Sequence, residues 1–343
     1  MSYKNINYLQ RYFSLSLVFL SSIAFAQKNG PVIYPTPQQA IFQPGTFVQV
    51  ERLNLKNLKL EPGLVSILGS VFKLYTNETI ISLQPTNSNQ NKLMIASSPL
   101  KNKLYTTEKS IPLQIVKLKA SKFKSGAYQL NITPAAIKIA ADDDRGVFYA
   151  IQSLIQLAKK EGGNATVLPQ GTINDFPDLP FRGTVEGFYG EPWSHEDRIS
   201  QFRFYGKMKL NTYIYGPKDD PYHSSPHWRQ PYPEKEAARI KELVAEANKN
   251  RVDFVWAIHP GKDIKWTKTD SIAVLQKFNT MYNLGVRSFA VFFDDISGAG
   301  TDAHQQAGLL NYIQQQFVKK KKDVANLIMC PTEYNKGWSD PKP

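Results

Sequence analysis

Phe292-Phe293-Asp294-Asp295-Ile296 sets two adjacent carboxylates behind an apolar run. That run, Phe289 to Phe293, reads as a buried parallel strand, and Ser297-Gly298-Ala299-Gly300 as the loop it opens into. Two carboxylates held this close cannot share one electrostatic environment. One ionises while the other keeps its proton, which is the division of roles that acid–base chemistry needs. An Asp-Asp pair also serves as a helix cap or a solvated turn, so the reading depends on what else converges there. Four further apolar runs end in polar or special residues: Glu186-Gly187-Phe188-Tyr189-Gly190, Tyr215-Gly216-Pro217-Lys218-Asp219-Asp220, His259-Pro260-Gly261 and Thr332-Glu333-Tyr334-Asn335. Each has a local reading too. The glycines suit turns, Lys218 has Asp219 and Asp220 as near partners, and His259 suits a buried, hydrogen-bonded core position. A hydrolytic metal on Asp294, Asp295 and His259 is a rival chemistry, but no HxH or ExxH spacing accompanies it.

The elements that would position these residues alternate strictly. Strands are expected at 181–188, 211–215, 252–258, 288–293 and 326–330, with helices at 194 onward, 234–248, 272–282 and 303–320 between them. Ser194-His195-Glu196-Asp197 has the form of a capping box, and Ile240, Leu243, Val244 and Ala247 share one helical face. Repeating βα units signify a doubly wound sheet or a (β/α)8 barrel, and polar residues at strand ends are where a barrel keeps its chemistry. The chain shows no Gly-rich phosphate loop. Before these units, residues 27–178 read as an α+β domain with antiparallel strands: Leu93–Ala96, a hairpin of Tyr128–Ile132 and Ile137–Ala140, and a helix over Gly146–Lys160. Pro-rich Asp175–Pro180 marks the boundary to the barrel at 179–343. Five strands do not close an eight-stranded cylinder, which takes about 250 residues, so the expectation is a fragment of a longer protein or a barrel that something else completes.

Composition adds bounds. The 343 residues are 42% hydrophobic and 12% aromatic, enough for packed cores. Residues 1–26 have the parts of a signal peptide: Lys4 and Arg11, an apolar stretch from Tyr12 to Ile23, and Ala24-Phe25-Ala26 before Gln27. Export to a periplasm or the outside is therefore expected, with no integral membrane segment after cleavage. A single cysteine, Cys330, excludes an internal disulfide. The formal charge of +13 includes a run at Lys319–Lys322, expected at the solvated end of a helix. No basic motif interleaves with aromatics, which argues against nucleic acid as a partner; acidic polymers or anionic surfaces stay open on charge alone.

The stretch Arg182-Gly183-Thr184-Val185-Glu186-Gly187-Phe188-Tyr189-Gly190-Glu191-Pro192-Trp193 resembles the first barrel strand of glycoside hydrolase family 84. This family comprises O-GlcNAcases and secreted β-N-acetylglucosaminidases once called hyaluronidases. Asn211 to Tyr222 is similar to its second strand, Phe292 to Ile296 to its catalytic strand, Cys330-Pro331-Thr332-Glu333-Tyr334 to its fifth, and Ala141 to Gln152 to a helix start in the preceding small domain.

The resemblance implies a retaining exo-glycosidase for terminal β-linked N-acetylglucosamine in which the sugar's own acetamide oxygen attacks C1. It implies Asp294 as the carboxylate that aligns the acetamide and stabilises the oxazoline intermediate, and Asp295 as general acid and then base. Gly187 is implied to let the sugar approach the backbone, Lys218 to bind a hydroxyl, Tyr334 to bind the acetamide or oxazoline oxygen, and Tyr189 to line the pocket. Cys330 lies beneath the acetyl group on this reading, and a plain buried cysteine is an equal one. No cofactor or metal is implied, and glycans or glycoproteins bearing N-acetylglucosamine are the implied partners. A non-catalytic glycan binder or inactive fragment is the alternative. Adjacent side chains on a regular strand point to opposite faces, so Asp294 and Asp295 reach one sugar only where the strand ends, and Ser297–Gly300 is expected to end it.

Overall fold

The computed structural model describes residues 31–56, 58–76, 80–81, 110–117, 125–161 and 165–337. The expected signal peptide and the strand expected at Leu93–Ala96 lie outside the described residues.

Among the described residues the first unit is a sheet carrying two helices. Its strands are β1 (Gln39–Val50), β2 (Arg52–Asn54), β3 (Leu74–Tyr75), β4 (Ile80–Ile81), β5 (Ser110–Lys117), β6 (Tyr128–Ile132), β7 (Ile137–Ala141), β8 (Lys159–Glu161) and β9 (Ala165–Asp175). They run in the order β1-β9-β6-β7-β5-β2-β3-β4, with β8 beside β9. The hairpin β6–β7 forms where the alternation placed it, and Thr133 Oγ1 closes its turn on the Ala136 carbonyl at 2.9 Å. The pairing is not purely antiparallel, however. β2 pairs in parallel with both β3 and β5, and β5 with β7. The reason lies in the connections: helix α1 (Pro62–Gly69) carries the chain from β2 across to β3, and a crossover of that kind yields parallel neighbours. Helix α2 spans Asp144–Leu157 and so starts earlier than its apolar spacing suggests, because the Asp143 carboxylate accepts from the Gly146 N–H at 2.7 Å. It also ends sooner, since Lys159 and Lys160 join β8. Val147, Phe148, Ile151 and Leu154 on α2 are buried against Leu130, Ile137 and Ile139 of the hairpin.

The second unit alternates strand and helix: β10 (Gly183–Glu186), α3 (His195–Lys207), β11 (Thr212–Tyr215), α4 (Glu234–Lys249), β12 (Asp253–Ile258), α5 (Lys268–Asn283), β13 (Ser288–Phe292), α6 (Ala303–Gln316) and β14 (Ile328–Cys330). The five strands are parallel and lie in sequence order, a curled half-barrel. Period-two alternation splits each inner strand between two cores. Phe254, Trp256, Phe289, Val291 and Phe293 face the helices, while Val255, Ala257, Ala290 and Phe292 form a smaller cluster on the opposite face. The capping box at Ser194 is real, since its hydroxyl accepts from the Asp197 N–H at 3.1 Å and the Asp197 carboxylate accepts from Ser194 N–H. Helix α6 stops at Gln316, short of the expected Lys320. Val318–Lys320 tightens into a 3-10 turn, and Lys321 folds its ammonium over Tyr282 at 4.3 Å from the ring centroid.

Buried charge fixes the strands to their helices and the two units to each other. Glu186 at the end of β10 is fully buried and accepts from Arg198 Nε and Nη2 at 2.8 and 2.6 Å, together with Tyr213 OH and the Trp193 N–H. Between the units, Lys209 Nζ donates to Tyr128 OH at 3.0 Å and Asp175 at 3.2 Å, and Arg182 donates to Tyr149 OH at 3.0 Å. Burial pushes the Lys209 ammonium below its usual value, and Asp175 opposes that shift. Among the described residues no helix is long and apolar enough to cross a membrane.

Candidate active site

The carboxyl ends of the five strands meet at one edge of the half-barrel. β13 gives up its ladder after Phe292, and Phe293 N–H makes a last bond to the Cys330 carbonyl at 2.9 Å. Asp295 then adopts φ +54°, the left-handed region that Asp enters more readily than most residues. The strand therefore ends before the acidic pair, and the backbone turns within the pair itself, two residues ahead of Ser297. This break turns both carboxylates to the same side. Lys218, from the loop after β11, stands 2.6 Å from Asp294 Oδ2 and 3.8 Å from Asp295 Oδ2. Its ammonium bonds neither Asp219 nor Asp220 as the local reading had it; Asp220 instead accepts from Tyr215 OH and Tyr232 OH, both at 2.8 Å.

Tyr189, from the loop after β10, donates its hydroxyl to Asp295 Oδ2 at 3.1 Å and lies beneath the Lys218 ammonium, 5.4 Å from ring centroid to Nζ. His259, one residue past β12, sets Nε2 2.8 Å from the Asp294 main-chain oxygen and 3.5 Å from Asp294 Oδ1. The second distance is an electrostatic contact rather than a full hydrogen bond, which leaves buried Oδ1 with no hydrogen-bond partner. Burial alone would raise the Asp294 carboxyl, but His259 and Lys218 overcome it and hold the group well below the usual carboxylate range. Cys330, half-buried at the end of β14, moves the other way: burial raises its thiol, and the nearby Asp294 charge adds to that.

Tyr189, Lys218, Asp294 and Asp295 thus form one bonded group. Gly187 and Tyr334 occupy the loops after β10 and β14, with Tyr334 half exposed. A Cβ built on Gly187 meets only Val185 Cγ1 at 3.4 Å and Gly216 O at 3.8 Å, so protein packing does not by itself demand glycine there. Behind the pair, the loop 297–301 is clamped to the turn after β12. Gly300 abuts Gly261 so closely that a Cβ on Gly300 would lie 2.0 Å from the Gly261 oxygen, and the Trp266 indole donates to the Ala299 carbonyl at 2.7 Å. A hollow of about 250 Å³ opens between α5 and α6, lined by Trp266, Asp270, Gln305 and Tyr312, and none of the candidate residues lines it. Sequence reasoning missed the left-handed turn at Asp295 and the contact of His259 with Asp294. A histidine directly after an apolar strand, in register beside the acidic strand, was the available signal for the latter. Among the described residues no three His, Cys, Asp or Glu side chains gather as a metal site.

Comparison with known proteins finds matches to both halves of the chain. A β-N-acetylglucosaminidase family profile matches residues 182–342, and domain 2 of glycosyl hydrolase family 20 matches residues 30–176. Protein O-GlcNAcase of Rattus norvegicus is 37% identical over 162 residues, 44% of this chain and 17% of that protein. The solved structure of CpGH84B superposes with a TM-score of 0.72 at 33% identity, covering 90% of this chain and 51% of that one. CpGH84D gives 0.71 at 25% identity, over 92% and 53%. The chain therefore spans about half the length of these solved relatives and a smaller share of the rat protein. Both units are thus matched in order, and these likenesses support membership of glycoside hydrolase family 84.

Proposed function

We propose that this chain carries the active site of a retaining exo-β-N-acetylglucosaminidase of O-GlcNAcase type, acting on terminal β-linked N-acetylglucosamine by substrate assistance. The observation that carries the reading is the convergence of the acidic pair: Asp294 is held ionised between Lys218 and His259, while the Asp295 side chain, with Tyr189 on one oxygen, is 41% exposed. An ionised carboxylate only accepts hydrogen bonds, and an acetamide N–H is a donor that Asp294 would align. Aligned by it, the acetamide oxygen attacks C1, the C1–O bond to the aglycone breaks, and Asp295 gives its proton to the departing oxygen. The oxazolinium positive charge forms beside ionised Asp294. Water then attacks C1, its proton passes to Asp295, and the ring opens to product with the starting configuration.

The family supports the glycosidase class, and the space over Gly187 supports close approach of a sugar to the backbone. Lys218 binds a sugar hydroxyl, Tyr189 lines the pocket and Tyr334 meets the acetamide oxygen on this reading. The half-barrel is taken as part of a (β/α)8 barrel, which its parallel order supports. Export and glycoprotein or glycan substrates complete the proposal. The test is hydrolysis by the full chain of an aryl β-N-acetylglucosaminide and of the matching β-glucoside, with the product anomer followed by NMR. Turnover of the acetamido sugar alone, with β product formed first, is expected, and Asp294→Asn should slow it about 10²- to 10³-fold. Equal rates on the glucoside would remove substrate assistance.

A further inference from the structure

His259 occupies a place that packing alone does not explain. It is 1% exposed, and its main-chain N–H donates to the His223 carbonyl at 2.8 Å. Both groups facing Nε2, the main-chain oxygen of Asp294 at 2.8 Å and Oδ1 of the same residue at 3.5 Å, are acceptors. Nε2 must therefore carry hydrogen, so a single N–H addresses the backbone and the carboxylate of one residue. The ring's other nitrogen, Nδ1, has no hydrogen-bond partner.

The demand for that donor arises from the local backbone. The ladder has ended at Phe292 and the chain turns left-handed at Asp295, so the Asp294 carbonyl sits at the break with no strand partner of its own. His223 stands behind His259, ring edge toward ring, with centroids 6.3 Å apart. It is fully buried and donates from Nδ1 to the Ala257 carbonyl at 3.1 Å, which ties the loop after β11 to the last turn of β12. The charged groups around this pair of rings are Asp294, with Lys218 on its far oxygen, and Asp220 on the His223 side.

We propose that His259 is the positioning residue of Asp294: from one ring nitrogen it fixes the peptide plane and the side-chain rotation that keep Oδ1 turned toward the imidazole and Oδ2 on Lys218, while His223 holds the backbone of His259 in place. This rests on the reading of Asp294 as the group that aligns the acetamide. A merely structural histidine would lower stability when removed and leave the kinetic constants alone. Positioning predicts a different pattern.

The variants are His259→Leu, which loses the donor, and His259→Gln, whose amide nitrogen reaches toward the Nε2 position. In the full chain His259→Leu should lose about 10- to 100-fold in kcat with KM within about twofold. The loss should be equal for activated and poor leaving groups, because Asp294 acts before departure in both, and His259→Gln should recover part of it. Two measurements do not need turnover. Ring ¹⁵N shifts of the wild type should show the Nε2–H tautomer, and the Asp294 carboxyl ¹³C titration should move upward in His259→Leu. An Nδ1–H tautomer overturns the proposal, as does a folded leucine variant with unchanged kcat and titration, or a glutamine variant no better than leucine. Should the leucine variant not fold, the wild-type tautomer and the glutamine variant decide. An inactive wild type with the expected tautomer and titration would sink the glycosidase reading and leave the positioning of Asp294 standing.

Discussion

Asp294 and Asp295 are neighbours in the chain with opposite surroundings, and their proposed roles follow from that contrast. Asp294 is enclosed between Lys218 and His259, whereas the Asp295 side chain is 41% exposed and faces the open side of the site, with Tyr189 on one oxygen. A proton donor needs that access to a leaving group. Asp295→Ala should therefore cost about 10²- to 10⁴-fold on substrates with poor leaving groups and far less on activated aryl glycosides, whose departure needs no proton. Steady-state kinetics on a leaving-group series reads this directly. A uniform loss across the series would remove Asp295 from the acid role. That the two aspartates stand together at the end of a buried strand was legible in their type and in the apolar run before them. How they come to share a side was not, because it depends on a left-handed φ at Asp295 that no spacing encodes.

Elements were legible where burial enforced period. Strands β11 to β13 showed themselves through residues such as Phe254, Val255 and Trp256, apolar because both faces of the sheet are covered. Parallel pairing in the first unit was not legible, since β2 and β3 are short and meet only through α1. Nor was the fate of Glu186, which lies at a strand end like the site residues but is spent on Arg198 and Tyr213, tying β10 to α3 and β11. Arg198→Leu would leave that carboxylate buried without its cation, and should destabilise the protein by about 3–5 kcal/mol in denaturant titration. A change below 1 kcal/mol would show the pair to be dispensable. His223 adds a pH effect at this scale. Burial pushes its imidazole down to about 4, so between pH ~6.5 and ~4 the unfolded chain binds a proton that the folded chain refuses. Stability should fall through that window as pH drops, by about 3 kcal/mol from this group. His223→Asn, which keeps a donor for Ala257, should flatten the slope in pH-dependent melts.

Across the whole molecule the two units are joined by buried polar contacts as well as by the 176–181 segment. Lys209 is 4% exposed and reaches across the junction to Tyr128 and Asp175, while Arg145 meets Asp253 at 2.9 Å. Lys209→Met should leave each core intact but loosen the docking, and limited proteolysis should then cut 176–181 faster than in the wild type. Unchanged cleavage would mean that the remaining contacts suffice. The half-barrel has a further property: its strands stand side by side in the order in which they are translated. Tyr189, Lys218, His259, Asp294 and Cys330 therefore follow one another around the site as they do along the gene, the first four each on a connection of its own and Cys330 at the end of β14. An insertion or deletion in one connection remodels one sector of the rim and leaves the other four in register. On the proposed reading, editing a single loop would change the fit to an aglycone while the ends of the other strands stay where the sheet has put them.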